Sequence, residues 1–220
     1  RAAAPVAMER GRVIAIVLSL GILVVLAYGV DVWRNRAPAG PAFDFSGAIR
    51  PAEFAESPSR GAANPRVVLF EYADFACSHC AEYQGAVGRV LASHPDDVRL
   101  VWKDFPFLSQ ASKDAAAAAR CAGEQGKFWE YANWLFANQS GLGSVPFESG
   151  AASFGLSTER FTACLADGRM QALVERDFAE GRALGITETP TLVIGDVALA
   201  GAQTFEEVER VLVPLLNNGN

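Results

Sequence analysis

Residues 67–80 read VVLFEYADFACSHC, and the fold class can be predicted outward from this stretch. Residues 67–72 form a short apolar run, which is typical of a strand buried at the centre of a sheet. Four residues, 73–76, separate this run from Cys77 and Cys80, after which the spacing of apolar residues predicts a helix over 81–93. The predicted order is therefore strand, dithiol, helix.

Strand and helix patterns both follow downstream. A second strand is predicted at 98–102, after which helical spacing takes over. The predicted helical segments of this region lie at 111–124, 127–138, 158–165 and 170–184. Strand patterns return at 191–194 and 197–200, and a last helix is predicted at 205–216. We therefore predict an α/β protein in which a helical insertion, 109–184, separates two β-containing halves.

An apolar leader precedes this domain. Residues 13–30 carry no charged side chain and would span about 27 Å as a helix, close to the thickness of a bilayer core. Arg10 and Arg12 before the run favour a cytoplasmic N-terminus. A cleaved signal peptide is the alternative, but its apolar core is usually shorter and its cleavage site closer. We expect an uncleaved membrane anchor.

The segment between leader and domain has the composition of a spacer. Residues 37–65 contain five prolines among alanine, glycine and serine. Within it, Phe43, Phe45 and Ile49 predict a short edge strand.

Composition excludes several classes of protein. Half of the 220 residues are hydrophobic, 20% are charged and the net charge is -6, which excludes a disordered or collagen-like chain. The leader is basic and the remainder acidic, which argues against a nucleic-acid partner.

The dithiol is the main candidate for chemistry. Two cysteines three apart at a helix start can close a small disulfide, and the first sulfur faces the positive end of the helix. The pKa of Cys77 should therefore be lowered, which makes it a nucleophile and a good leaving group in thiol-disulfide exchange. His79, between the cysteines, could donate a hydrogen bond or a charge to the same sulfur.

Two other uses of the cysteines stay open at this point. Cys77 and Cys80 could be half of a structural zinc site, but such sites normally pair two short-spaced motifs. The remaining ligands would come from Cys121, Cys164 or His94. A purely structural disulfide is the other alternative, although this spacing makes a strained link.

Residues 69–80, LFEYADFACSHC, followed far downstream by Thr189-Pro190-Thr191, resemble the DsbA-like thiol-disulfide oxidoreductases of the thioredoxin superfamily. The resemblance covers about residues 64–216. It implies a thioredoxin fold with an inserted helical domain, here preceded by one transmembrane helix. The domains expected on this basis are a cytoplasmic tail at 1–12, an anchor at 13–33, a linker at 34–64, a thioredoxin-like domain at 65–108 and 185–220, and the insertion at 109–184.

The resemblance also implies roles for single residues. It implies a cis Pro190 beside the active-site cysteines, with Thr189 pairing with an extended substrate peptide. Ser78 stands where the family often has proline, and we expect it at the substrate surface. A buried acid at Glu71 would help to move the proton of Cys80.

Two further residue assignments follow. Lys103 is either the ion-pair partner of Glu71 across neighbouring strands or a solvent-facing lysine at a strand end. Some members of the family carry a second cysteine pair in the helical domain, which implies a structural disulfide between Cys121 and Cys164. Closing that loop would contribute about 4 kcal/mol. Buried free thiols are the alternative.

The function implied is the introduction of disulfides into exported proteins, with no cofactor and no metal. The substrates would be unfolded or partly folded exported proteins with free thiols. A quinone-linked DsbB-like or vitamin K epoxide reductase-like membrane protein would reoxidise the dithiol. We expect a single-pass protein of the bacterial cytoplasmic membrane whose catalytic domain lies on the periplasmic side. A disulfide isomerase or reductase, and a non-catalytic chaperone or binding module, are the alternatives.

Overall fold

The computed structural model describes residues 42–44 and 50–218. The predicted tail at 1–12 and the predicted anchor at 13–33 lie outside the described residues, as do Phe45 and Ile49. Within the described ranges, no helix is both long enough and apolar enough to cross a bilayer.

Six strands form one mixed sheet. Its order is β1-β6-β5-β3-β4-β2, with β3 and β4 parallel and the other pairs antiparallel. The strands are β1 Ala42–Asp44, β2 Ser59–Gly61, β3 Val67–Ala73, β4 Val98–Asp104, β5 Thr191–Ile194 and β6 Val197–Ala200. The apolar run at the start of the dithiol motif is thus a central strand, as its composition predicted.

Seven helices accompany this sheet in the described part of the chain. They are α1 Ser78–Ser93, α2 Gln110–Gly123, α3 Phe128–Ala137, α4 Phe147–Ser153, α5 Thr158–Ala166, α6 Arg169–Ala183 and α7 Phe205–Asn217. Helices α2 to α6 lie between β4 and β5, so an α/β fold carries a helical insertion, as predicted.

Two short elements were not predicted from the sequence, the strand β2 and the helix α4. Each is too short to show a periodicity of its own. Within α4, a Cβ atom at Gly150 would lie 2.7 Å from the ring of Trp134 in α3, so only glycine fits this approach. The glycine that weakens the helical pattern is therefore the residue that lets the helices pack.

Each face of the sheet has its own apolar packing. On one face, Leu69 and Leu192 pack with Val87 of α1 and Leu212 of α7. On the other face, Tyr72 packs among residues that include Phe105 and Leu184. The consecutive residues of β3 therefore divide between two environments, since strand side chains alternate.

The insertion packs on a third apolar cluster, which it shares with the dithiol turn and which contains many small residues. Ala115 to Ala119 are all buried in α2, and the absence of bulk lets neighbouring helices approach closely. Trp102, at the end of β4, stacks on Phe75 with ring centroids 4.9 Å apart. This cluster also includes Cys77 and Cys80, so the insertion packs directly against the dithiol turn.

Candidate active site

The turn before Cys77 is held by a buried carboxylate. Asp74 follows β3, and its Oδ1 accepts a hydrogen bond of 2.8 Å from the backbone N–H of Ala76. Its Oδ2 accepts a bond of 3.1 Å from the N–H of Leu108. The turn is thereby fixed to the loop that precedes α2. Asp74 was not among the site residues predicted from the sequence, although an aspartate just before a helix start is a recognisable turn signal.

Cys77 is the N-cap of α1, and its thiol ionises easily. Its pKa is lowered from 9.0 to about 5, chiefly by a hydrogen bond from the Cys80 thiol. Burial opposes this change, while Thr189 and the backbone N–H groups of Cys80 and His79 support it. The free amide donors of a helix start thus face the sulfur, as predicted.

Cys80 has the opposite character. The residue is fully buried, whereas Cys77 retains 9% of its accessible surface. Burial raises the pKa of Cys80 far above its ordinary value, and its bond to Cys77 raises it further. Both cysteines are free thiols in this structure. One sulfur is therefore ready to react as a thiolate, while its neighbour keeps its proton and donates it in a hydrogen bond.

Thr189 and Pro190 lie against the reactive sulfur. The Sγ atom of Cys77 is 3.3 Å from the carbonyl oxygen of Thr189, a distance at which a protonated thiol donates a hydrogen bond. The Thr189-Pro190 peptide bond is cis. Residues 112 positions apart in the chain thus meet at one site, as the resemblance implied.

The side chains between the two cysteines point away from this site. Ser78 and His79 are exposed, and the imidazole Nδ1 of His79 lies 3.5 Å from Glu82. The prediction that the imidazole donates a hydrogen bond to Cys77 is therefore wrong, because the ring is 71% exposed and its Nδ1 faces Glu82. Only the backbone N–H of His79 acts on the sulfur.

Glu71 is fully buried on β3, as the resemblance implied. Burial raises its pKa from 4.5 to about 7, while Arg60 and a hydrogen bond from Gln84 oppose the rise. The Nε2 of Gln84 donates to Oε1 of Glu71 at 2.7 Å. Neither Arg60 nor Gln84 was among the predicted site residues. Their side chains come close to Glu71 only because β2 and α1 pack near β3 in the folded protein.

Neither prediction for Lys103 is correct. Glu71 pairs with Trp102 in the parallel register of β3 and β4, so Lys103 points to the opposite face of the sheet. It is fully buried, and its Nζ lies 2.8 Å from Glu180 and 3.7 Å from Asp177 on α6. Lys103 is therefore a buried link between sheet and insertion.

A residue of the insertion also reaches the dithiol turn. Gln139 follows α3 in a 3₁₀ turn, and its Nε2 donates to the carbonyl oxygens of Phe75 at 2.7 Å and of Cys77 at 2.8 Å. Both amide hydrogens are used on the active-site turn. Sequence alone gave no signal for this contact, since glutamine is common on surfaces.

The other two cysteines are joined. A disulfide links Cys121 of α2 to Cys164 of α5, with an S–S distance of 2.04 Å, as the resemblance implied. These sulfurs cannot complete a zinc site with the active-site pair, and His94 pairs instead with Glu209 at 3.0 Å. In the part of the chain that the structure describes, no three His, Cys, Asp or Glu side chains are grouped to hold a metal.

Comparison with known families agrees with this geometry. The profile of a thioredoxin family matches residues 54–213, and the chain belongs to this family. A thioredoxin-like oxidoreductase from Silicibacter pomeroyi DSS-3 is 25% identical, with a TM-score of 0.66 over 74% of this chain and 94% of that one. DsbA2 from Pseudomonas aeruginosa is 30% identical, with a TM-score of 0.64 over 73% and 94%. These likenesses support redox activity of the thiol-disulfide type in general.

The curated proteins that match this chain in sequence are named as Na(+)/H(+) antiporters. The Na(+)/H(+) antiporter NhaA of Herminiimonas arsenicoxydans is 34% identical over 153 residues, which are 70% of this chain and 24% of that protein. NhaA 1 of Mycolicibacterium vanbaalenii is 33% identical over 168 residues, 74% and 27% of the two chains. The chain spans about a quarter of the length of the curated relatives that it matches.

Proposed function

We propose that this protein is a thiol-disulfide oxidoreductase that introduces disulfides into exported proteins through Cys77 and Cys80. One observation carries the proposal: the two thiols differ in ionisation, with a pKa of about 5 at Cys77 and a strongly raised pKa at Cys80. A stabilised thiolate is a good leaving group, so a disulfide that contains Cys77 passes readily to a substrate.

The proposed reaction begins with the Cys77–Cys80 disulfide. A substrate thiolate attacks the Sγ of Cys77, the bond between the two cysteines breaks, and Cys80 leaves with the electron pair and takes up a proton. A second substrate thiolate then attacks the substrate sulfur of the mixed disulfide. Cys77 leaves as a thiolate, the substrate holds the new disulfide, and the protein holds the two electrons as the dithiol.

Thr189 suits the binding of an extended substrate beside this chemistry. Its carbonyl oxygen lies 3.3 Å from the Sγ of Cys77, and the residue is largely buried beside the reactive sulfur. An extended peptide would pair with the backbone of Thr189, in the way that peptides add to exposed sheet edges. This placement favours protein thiols over small thiols as substrates.

The cellular setting remains a proposal from the sequence. We place the domain on the periplasmic side of the bacterial cytoplasmic membrane, anchored by residues 13–33. Its dithiol would be reoxidised by a quinone-linked DsbB-like or vitamin K epoxide reductase-like membrane protein. Both features suit an oxidase, whose electrons must leave the protein after each turnover.

The test uses the oxidised protein and a reduced peptide with two cysteines. We expect one peptide disulfide per protein dithiol formed, counted by mass spectrometry after acid quench. Cys77→Ser and Cys80→Ser should each abolish the transfer, because neither variant can form the active-site disulfide. Faster reduction of insulin than oxidation of the peptide would indicate a reductase, and reshuffling of a scrambled protein would indicate an isomerase. Peptide binding with no exchange would indicate a non-catalytic binding module.

A further inference from the structure

A chain of polar contacts leads from the sheet edge to the buried acid of the site. Arg60 lies on the edge strand β2, and its Nη2 donates to Oε1 of Gln84 at 3.2 Å. The Nε2 of the same amide donates to Oε1 of Glu71 at 2.7 Å and lies 3.5 Å from the carbonyl oxygen of Cys80. Gln84 therefore connects a cation, a carboxyl group and the backbone of the second cysteine.

Arg60 is held in place for this contact. Its guanidinium carbon lies 4.2 Å from the centroid of the Trp129 ring, a favourable cation–π distance. The side chain is partly buried, and burial lowers its pKa while Glu71 raises it. Among the described residues Arg60 has no carboxylate within ion-pair distance, so its charge acts on Glu71 through the amide.

The surroundings of Glu71 offer no second cation in the described structure. Its Oε2 is buried and accepts no hydrogen bond from the protein there, which leaves this oxygen free to take a proton. The groups that face Glu71 or contact its amide partner are Arg60 of β2, Cys80 and Tyr83 of α1, Trp102 of β4 and Leu192 of β5.

We propose that Arg60 and Gln84 are positioning residues that keep Glu71 a carboxylate ready to accept the proton of Cys80. The inference rests on the proposed function and concerns the step that closes the active-site disulfide. Cys80 gives its proton to Glu71, and its sulfur attacks the Sγ of Cys77 in a mixed disulfide. The Cys77–Cys80 bond forms, the bond to the partner sulfur breaks, and the partner leaves as a thiolate.

This role makes the closing step sensitive to the charge of Arg60. Without the cation the pKa of Glu71 rises above about 7, since burial then acts with less opposition. The carboxylate forms only at higher pH, so the rate of closure should reach its midpoint at higher pH. The attack on Cys77 by an external disulfide should keep its pH profile, because Arg60 does not act on that sulfur.

The experiment separates these two steps. The full chain, with only its active-site pair reduced, is mixed with oxidised glutathione, quenched in acid and analysed by mass spectrometry. Formation of the Cys77–glutathione adduct reports the first step, and its loss reports closure by Cys80. With Arg60→Gln we expect the midpoint of closure to rise by about half to one pH unit, with the first step unchanged.

Further variants separate a positioning role from a structural one. Arg60→Lys keeps the positive charge, so its midpoint of closure should lie closer to that of the parent protein than the midpoint of Arg60→Gln does. Gln84→Leu removes the side-chain hydrogen bonds to both Arg60 and Glu71, so it should also raise the midpoint of closure. If Arg60→Gln does not fold, this variant tests the proposal in its place. Arg89→Gln is the matched control, because Arg89 is exposed on α1 beside Glu206 and should shift nothing.

The decisive variant lacks the carboxylate. In a Glu71→Gln background, Arg60→Gln should cause no further shift in the closing step. An equal shift in that background, or no shift with either Arg60→Gln or Gln84→Leu, would overturn the proposal. If the parent protein formed no adduct at Cys77 at all, the proposed function would fail instead, so the two failures are distinguishable.

Discussion

Cys77 and Cys80 differ in ionisation because they occupy different positions in the first turn of one helix. Cys77 lies at the N-cap, where the backbone N–H groups of α1 and the Cys80 thiol surround its sulfur. Cys80 lies one turn further in and is fully buried. Since burial disfavours the charged form, the second thiol stays protonated. A spacing of three residues therefore creates two kinds of thiol.

The first prediction at this scale concerns alkylation. At pH 6 a thiol with a pKa of about 5 is about nine-tenths ionised, whereas an ordinary thiol is ionised to less than about one percent. Iodoacetamide at pH 6 should therefore modify Cys77 in the reduced native protein and leave Cys80 unmodified. Peptide mapping by mass spectrometry measures both sites in one sample.

The control is the same reaction after unfolding, where both thiols should react alike at high pH. In the native Cys77→Ser variant, labelling at pH 6 should disappear. Equal labelling of Cys77 and Cys80 in the native protein, or preferential labelling of Cys80, would contradict the assignment of the nucleophile.

Residue types and spacing predicted the reactive pair but not all of its neighbours. Cys77, Cys80 and Pro190 could be placed from a motif, because each is specified by local sequence. The partners of Glu71 could not, since they depend on strand register and on the edge strand β2. One residue of register decides whether a side chain on β4 faces Glu71 or the opposite side of the sheet.

At the scale of elements, periodicity predicted the long helices and the central strands. The helices α2, α3, α5 and α6 begin and end close to the predicted limits. The helix α1 begins at Ser78, three residues before its predicted start, because the first turn carries cysteines instead of an apolar stripe. Short elements escaped prediction because their stability comes from tertiary packing.

The contact of Gln139 shows how one element holds another. Two backbone carbonyls of the dithiol turn accept hydrogen bonds from this side chain, one of them at Cys77. We predict that Gln139→Leu lowers the free energy of unfolding by about 1–3 kcal/mol, because carbonyls lose their partner. The loosened turn should also raise the pKa of Cys77 by about half a unit, measured from alkylation rates against pH.

A matched control lies in the same insertion. Gln125 makes two similar bonds to the backbone of Ser157, at 3.2 and 3.0 Å, away from the dithiol. Gln125→Leu should cost comparable stability in urea unfolding and leave the alkylation profile unchanged. If both variants shifted the profile equally, the effect would reflect general loosening and not the contact with the active-site turn.

At the scale of the whole molecule, a buried ionic network joins the sheet to the insertion. Arg120 of α2 pairs with Asp104 and Asp177, and Lys103 pairs with Asp177 and Glu180. Burial raises the pKa of Asp177 to about 6, with Asp104 adding to the rise. Removing one partner of such a network leaves an uncompensated buried charge, at a cost of about 3–5 kcal/mol.

This network could not be predicted from the sequence, although its effect on the fold is large. Its members come from β4, α2 and α6, which are separated along the chain and have charged residues typical of surfaces. Only the packed arrangement shows that they share one interior. The fold class was predictable because it depends on element order, whereas the polar interior depends on the three-dimensional register of those elements.

The last prediction concerns the whole protein in its two redox states. The folded pKa of Cys77, about 5, lies below its ordinary value of 9.0. Its ionisation therefore stabilises the reduced fold fully above pH 9, and this contribution is lost as the pH falls through about 5. The oxidised protein has no such thiolate. Reduced protein should thus gain stability over oxidised protein between those limits.

Thermal melts of both forms at pH 5, 6, 7 and 8 measure this difference, with reduction mild enough to keep Cys121–Cys164 closed and the free thiols counted by mass. We expect the reduced form to melt higher at pH 7 and the gap to widen with pH. Glu71, with a raised pKa of about 7, also titrates in this range, and melts of Cys77→Ser measure its contribution alone. A stable reduced form makes the disulfide a strong oxidant, because each transfer to substrate leads to the favoured state. A higher melting temperature for the oxidised form would instead make the dithiol a reductant, and the direction of electron flow proposed here would be reversed.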